Sequence, residues 1–228
     1  MLHVLRLRPG ARVVLIDGRG WEAHAVLVRV DAGSAVLEIS EVLEEHNSRM
    51  NVRVIISLLK KSPMDWMVEK LTEIGVSRLS PVIMNRTVVR PGVEKLDRHR
   101  RRWQTISLQS LKQCRRSVAM QIDPVVQVSQ VMEECKGENG SATKKIMLWE
   151  GEASQGLLEL LLSYSKDSGE FDVSLLIGPE GGITQEELED FKTAGFVPVT
   201  VGPYILKSET AAIVAAGLVR SVMFSAGP

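Results

Sequence analysis

The sequence predicts an α/β protein preceded by a small β-rich segment, and three observations carry that expectation. Before about residue 50, short apolar runs (VLRL, RVVLID, HAVLVRV, AVLEIS) alternate with turn signals. Beyond it, strand-like and helix-like stretches alternate as in βαβ units. In the last third, three strand ends each run into an irregular loop, and each loop carries glycine. At 228 residues and 44% hydrophobic content, the chain can bury one large core or two small ones.

In the first segment, Pro9-Gly10, Asp17-Gly18-Arg19-Gly20 and Asp31-Ala32-Gly33-Ser34 mark turns, so residues 1–48 read as a small β-barrel or meander. Residues 49–228 read as the α/β domain. Val52 to Leu59 predicts a buried strand. Ser62-Pro63-x-Asp65 predicts a capped helix with proline at its first position, ending at Gly75. A strand over Leu79 to Met84 and a long helix from about Glu94 follow, and Glu133 to Lys145 (EECKGENGSATKK) reads as a polar surface loop. Ile146 to Trp149, Val173 to Ile177 and Val197 to Val201 read as strands. The capping box Thr184-Gln185-Glu186-Glu187 opens a helix that stops at Gly195, and a small-residue helix, Thr210 to Met223, closes the chain. In parallel α/β sheets ligands lie at the carboxyl ends of the strands, so the loops beginning at Glu150, Gly178 and Gly202 should meet around one site.

Composition excludes several classes. No apolar run approaches the roughly 20 residues that span a bilayer, and MLHVLRLRPG carries charges where a signal peptide has its apolar core, so a soluble cytoplasmic protein is expected. Cys114 and Cys135 form neither a CxxC nor a paired His/Cys spacing, so no disulfide framework and no metal site is indicated. GxxxxGK[ST], a GxGxxG after a strand, GxSxG and HExxH are all missing, which argues against nucleotide-phosphate cradles and common hydrolases.

The formal net charge of zero conceals a division. Residues 1 to 120 hold 21 Lys+Arg against 12 Asp+Glu, a balance of +9, and residues 121 to 228 hold 7 against 16, a balance of −9. The densest basic run, Arg98, Arg100, Arg101 and Arg102 around His99, is followed by Lys112, Arg115 and Arg116. A solvated helix face explains such a run as well as a nucleic-acid surface does, and the asymmetry favours RNA or DNA.

LLIGPEGGIT followed by a helix and then VTVGPYILKSETAA resembles the paired cofactor loops of the SPOUT superfamily of RNA methyltransferases, and within it the bacterial 16S ribosomal RNA uridine-N3 methyltransferase family. HVLRLRPG with DGRG, EKLTEIGVSRLSPVIMNRTVV, and RWQTISLQSLKQCRRS with its Gln-x-x-Arg ending extend the similarity through nearly the whole chain. The resemblance implies a SPOUT-type parallel sheet with a C-terminal trefoil knot, a PUA-like N-terminal barrel, a homodimer, and bound S-adenosylmethionine. It assigns the cofactor to Gly178, Pro179, Glu180, Gly181, Gly182, Val201, Gly202, Ser208 and Thr210, with Glu180 either touching the cofactor or bracing the loop, and with Leu148, Ile205 and Leu206 as apolar and backbone partners. Glycines at 178, 181 and 182 would let the cofactor lie against main chain. Ala215 and its small neighbours would allow close packing around the knot and dimer.

The implied partner is 16S ribosomal RNA or the small ribosomal subunit. Arg6, Arg8, Arg12 and Arg19 of the barrel, with Arg98, Arg100, Arg101, Arg102 and Arg115, are the candidate RNA contacts. Moving a methyl group to uridine N3 needs in-line positioning and a cation beside the developing uridinate. Arg116 and Lys207 are the candidates, and either could instead grip a phosphate. Three departures are visible: Lys207 where the family often has arginine, Gln109 where glutamate is common, and an opening that lacks a further basic segment. The last predicts an incomplete barrel with an unpaired edge. A non-catalytic RNA-binding assembly factor and a related knotted enzyme acting on tRNA stay open as alternatives.

Overall fold

The structure, a computed structural model, describes residues 7–31, 34–44, 51–137, 143–151, 155–168 and 171–225. The chain divides into two compact units. The first comprises residues 1–47 together with 111–119, a return of the chain that the sequence reading does not anticipate.

In the first unit, β1 (Arg12–Ile16), β2 (Trp21–Asp31) and β3 (Ser34–Glu44) form an antiparallel sheet in that order. The expected strand VLRL falls mainly outside the described residues. Asp17 folds the DGRG turn: its carboxylate accepts from the amides of Arg19 (2.6 Å) and Trp21 (3.1 Å). The Arg19 amide is the main cause holding that carboxyl below its ordinary value. Segment 111–119 docks on the same turn, with Gly20 donating to the Ser117 carbonyl and Ala119 to that of Gly18.

The second unit is built on β4 (Val52–Ser57), buried at all six positions. A strand buried throughout belongs in the middle of a parallel sheet covered on both faces. It pairs in parallel with β5 (Arg78–Ile83) on one side and β9 (Val173–Ile177) on the other. Short β6 (Gln121–Ile122) and β7 (Val126–Gln127) add to β5, while β8 (Lys144–Leu148) and β10 (Val197–Val199) continue beyond β9, giving the order β10-β8-β9-β4-β5-β6.

Alternating strand residues feed two apolar layers. Val54, Ile56, Leu175 and Ile177 face one layer, covered by α1 (Lys61–Ile74), α2 (Val93–Cys114), α4 (Leu157–Ser168) and α6 (Ser208–Ser225). Ile55, Leu176 and Met147 face the other, covered by α3 (Val128–Gly137) and α5 (Gln185–Thr193). Buried Met64, Met67, Val68 and Leu71 recur at helical spacing, which explains α1. On α6, Ala211, Ala212, Ala215 and Ala216 are buried within the chain's own core, where lack of bulk allows the helix to lie on β4 and β9.

Several boundaries differ from the sequence expectation. The N-cap of α1 is Lys60, without a side-chain cap, and Pro63 is the third helical residue; its missing amide hydrogen belongs to a first turn that has no helical acceptor. Gly75 does end the helix, at φ 99°. The polar stretch from Glu133 is not all loop. Helix α3 continues to Gly137, anchored by buried Val131, Met132 and Cys135, and β8 begins at Lys144. Buried Lys145 donates to the carbonyls of Cys135 and Ala194. Strand β10 ends at Val199, two residues early, which releases Val201 into the following loop.

One ionic network ties β4, β5 and α3. Arg53, 7% exposed, donates to Ser80 (2.8 Å) and Glu134 (2.9 Å), while Arg78 donates to Asp123 (2.8 Å) and Glu134 (3.1 Å). Burial alone would raise the Glu134 carboxyl, but the hydrogen bond and charge of Arg53, aided by Arg78, outweigh it and hold it below 4.5. A carboxyl depressed in the folded state contributes stability that is present above its unfolded value and lost as pH falls through the folded one. Urea midpoints measured downward from neutral pH should therefore decline less steeply below about 4.5 in Glu134→Gln than in the parent. Parallel curves would place the acid sensitivity elsewhere.

Candidate cofactor site

Register creates the site. Leu148 pairs with Ile177 on one side and Val199 on the other, so β8, β9 and β10 end side by side and release their loops at one edge. A cavity of about 400 Å³ lies there, lined by residues 148–151, 177–179, 182–183, 199–206, 208 and 211. That volume lies in the range of small-molecule sites, roughly 300 to 1,000 Å³.

Each loop is held by specific contacts. Gly182 donates to the Pro179 carbonyl (2.9 Å), closing a turn in which Gly182 has φ +74°, a conformation that side chains disfavour. A Cβ on Gly182 would also run into the Glu150 carboxylate, and one on Gly178 would lie 2.6 Å from Ile183 Cγ1. These glycines therefore make room for neighbouring side chains, whereas the sequence reading reserved that space for a ligand. Ser208 Oγ donates to the Gly178 carbonyl (2.9 Å), joining the start of α6 to the loop after β9. Thr200 Oγ1 donates to the Gly202 carbonyl (2.7 Å) and accepts from its amide (3.2 Å). The amides and carbonyls of Val201, Ile205 and Leu206 make no hydrogen bond among the described residues.

Of the sequence-predicted cofactor residues, Leu148, Gly178, Pro179, Gly182, Val201, Gly202, Ile205, Leu206 and Ser208 line the cavity. Glu180, Gly181 and Thr210 lie outside its lining, and so does exposed Lys207, although both of its chain neighbours line it. Arg116 is half-buried in the first unit. Among the candidate RNA contacts, Arg8, Arg12, Arg19 and Arg115 are exposed in the first unit, and Arg6 falls outside the described residues. The run on α2 divides: Arg100 donates to the Ile122 carbonyl (2.9 Å) and Arg102, though exposed, pairs with Asp65 (2.9 Å), while Arg98 and Arg101 are exposed.

Sequence reasoning missed Arg86, Glu150 and the second role of Glu187. Arg86, in the loop after β5, donates to the Gly181 carbonyl (3.0 Å). Among the described residues, Glu150 is the one charged residue lining the cavity. Glu187, 4% exposed, completes the capping box with Thr184 and also accepts from the Asn85 amide (2.8 Å). The box was legible from spacing; the partner 102 residues away was not. Among the described residues no group of His, Cys, Asp and Glu could hold a metal ion, and no helix is long and apolar enough to cross a membrane.

A parallel sheet with a small-molecule cavity at its carboxyl edge is an architecture that places a bound ligand at the strand ends. Residues 46–220 match the family of the RNA methyltransferase domain and residues 1–40 that of the RNA methyltransferase PUA domain, so the chain belongs to the RNA methyltransferase family. It is 28% identical to the ribosomal RNA small subunit methyltransferase E of Mycobacterium bovis, over 95% of this chain and 80% of that one. The Bacillus subtilis protein of the same name is 26% identical over 94% and 83%. Among solved structures, the Neisseria gonorrhoeae ribosomal RNA small subunit methyltransferase E bound to S-adenosylmethionine superimposes with a TM-score of 0.81 at 27% identity, covering 96% of this chain and 86% of that one. Legionella pneumophila Lpg2936, also solved with bound S-adenosylmethionine, gives 0.79 at 26% identity with the same coverage.

Glu187→Ala should strip the acceptor from the amides of Thr184 and Asn85 together. We expect a loss of about 2 kcal/mol in urea unfolding, cap and buried hydrogen bond combined. A loss below about 0.5 kcal/mol would mean that water replaces the carboxylate without cost.

Proposed function

We propose that the protein methylates N3 of a uridine in 16S ribosomal RNA, using S-adenosylmethionine held in the cavity at the ends of β8, β9 and β10. The observation that carries this reading is the convergence of the three loops on one cavity in a chain of the RNA methyltransferase family. Its lining fits the cofactor: Leu148 and Ile205 offer apolar walls, and the unpaired backbone groups of Val201, Ile205 and Leu206 offer donors and acceptors for a purine edge. When bound, the cofactor supplies a methyl group carried on a sulfonium.

The chain's own part is positioning and charge. Ser208 fixes Gly178, and Arg86 and Glu187 hold the loop after β9 from its outer side, so the cavity wall is set before any ligand arrives. Glu180 and Gly181 belong to that wall's outer turn and Thr210 to the first turn of α6 behind it. Arg116 and Lys207 are alternative candidates for the cation beside the negative charge that develops on the uracil ring, and either could instead grip a phosphate. SPOUT-type knotting of the C-terminal segment and a homodimer, measurable by light scattering, are parts of the same reading. Because Ala215 is wholly buried in the chain's own core, exposed Val214 and Phe224 are the α6 residues suited to a contact with a second copy.

Incubation with labelled S-adenosylmethionine and small-subunit ribosomal RNA or subunits should yield label that maps to N3-methyluridine. Label in tRNA alone would replace the substrate, and binding without transfer would favour an assembly factor. For RNA contact, Arg98→Ala and Arg101→Ala should each flatten the salt dependence of log affinity by roughly 0.7 to 0.9. Arg100→Ala and Arg102→Ala should change it little, because their guanidinium groups are engaged within the protein. Four parental slopes would move the RNA surface to Arg8, Arg12 and Arg19.

A further inference from the structure

We infer that Glu150 selects the methyl donor by charge, its carboxylate favouring cationic S-adenosylmethionine over neutral S-adenosylhomocysteine in the cavity. This rests on the cofactor reading above and adds a residue and a discrimination to it.

Every described residue around the cavity other than Glu150 is apolar, a glycine, or a hydroxyl-bearing residue, so among the described residues its carboxylate is the one formal charge on the cavity wall. It lies against Gly182, where a Cβ would collide with Glu150 Oε1, so the absence of a side chain at 182 gives the carboxylate its place. Arg86 Nη1 lies 3.8 Å from that same Cβ position. Arg86 does not line the cavity, and its Nη1 is engaged with the Gly181 carbonyl at 3.0 Å. Among the described residues no cation forms an ion pair with Glu150. The carboxylate is therefore available to a ligand.

The two states of the cofactor differ in the charge that such a group would sense. S-adenosylmethionine carries a sulfonium, an ammonium and a carboxylate, net positive; the product has lost the methyl group and with it the sulfonium charge. A carboxylate on the wall of a partly solvated cavity would favour the cationic donor over the neutral product by roughly tenfold. The consequence for turnover is that the product is held less firmly than the donor.

The test is calorimetric titration of the full chain and of Glu150→Gln and Glu150→Asp with three ligands. These are S-adenosylmethionine, S-adenosylhomocysteine, and sinefungin, in which an ammonium-bearing carbon replaces the methylated sulfur. Glu150→Gln should weaken S-adenosylmethionine and sinefungin about tenfold, leave S-adenosylhomocysteine within about twofold, and keep the parental melting temperature; Glu150→Asp should retain most of the discrimination. Equal weakening of all three ligands would show a hydrogen bond without charge selection and overturn the inference. Parental affinities throughout would overturn it as well. If the parent protein itself binds none of the three, the cofactor reading fails first and this inference falls with it.

Discussion

The constraint on which the rest depends is the parallel register of β10, β8, β9 and β4. Leu148 is opposite Val199 and Ile177 at once, and Ile177 is in turn opposite Ile56, so four strands finish at nearly one level. A slip of one residue in any of them would turn its core side chains to the wrong face. Because β4 and β9 are buried at every position, such a slip would exchange side chains between the two apolar layers. The cavity is thus a by-product of the same pairing that forms the core.

Short polar contacts convert that alignment into a shaped site. Ser208 to Gly178, Arg86 to Gly181 and Glu187 to Asn85 join segments distant in sequence, and each uses a backbone group that would otherwise be left for water. A loop fixed before binding loses less freedom when a ligand arrives, so these bonds favour affinity without touching the ligand. Lys145 does similar work inside the second apolar layer, where its ammonium joins the ends of α3 and α5.

Charge is divided by role as well as by position. Of the basic run on α2, Arg100 and Arg102 are engaged within the second unit itself, one on the Ile122 carbonyl and one, at the surface, on Asp65, whereas Arg98 and Arg101 face solvent. Arg53 and Arg78 are likewise bound into a network with Asp123 and Glu134. A count of arginines therefore overstates the cationic surface open to a polyanion.

Local signals in the sequence determined the strand Val173–Ile177, the capping box at Thr184, the glycine end of α1 and the three loops that surround the cavity, since each depends on residues within a few positions of one another. Tertiary structure alone decided the rest. Helix α3 was hidden because its few buried anchors stand among glutamates and lysines of an exposed face, and α1 begins at Lys61, one residue before the Ser-Pro signal, with no side-chain cap. The placement of Glu150 against Gly182, the reach of Glu187 to Asn85 and the return of residues 111–119 to the first unit all join positions far apart in the chain. Sequence periodicity reports which residues are buried, whereas the identity of their distant neighbours depends on how the strands order themselves in the sheet.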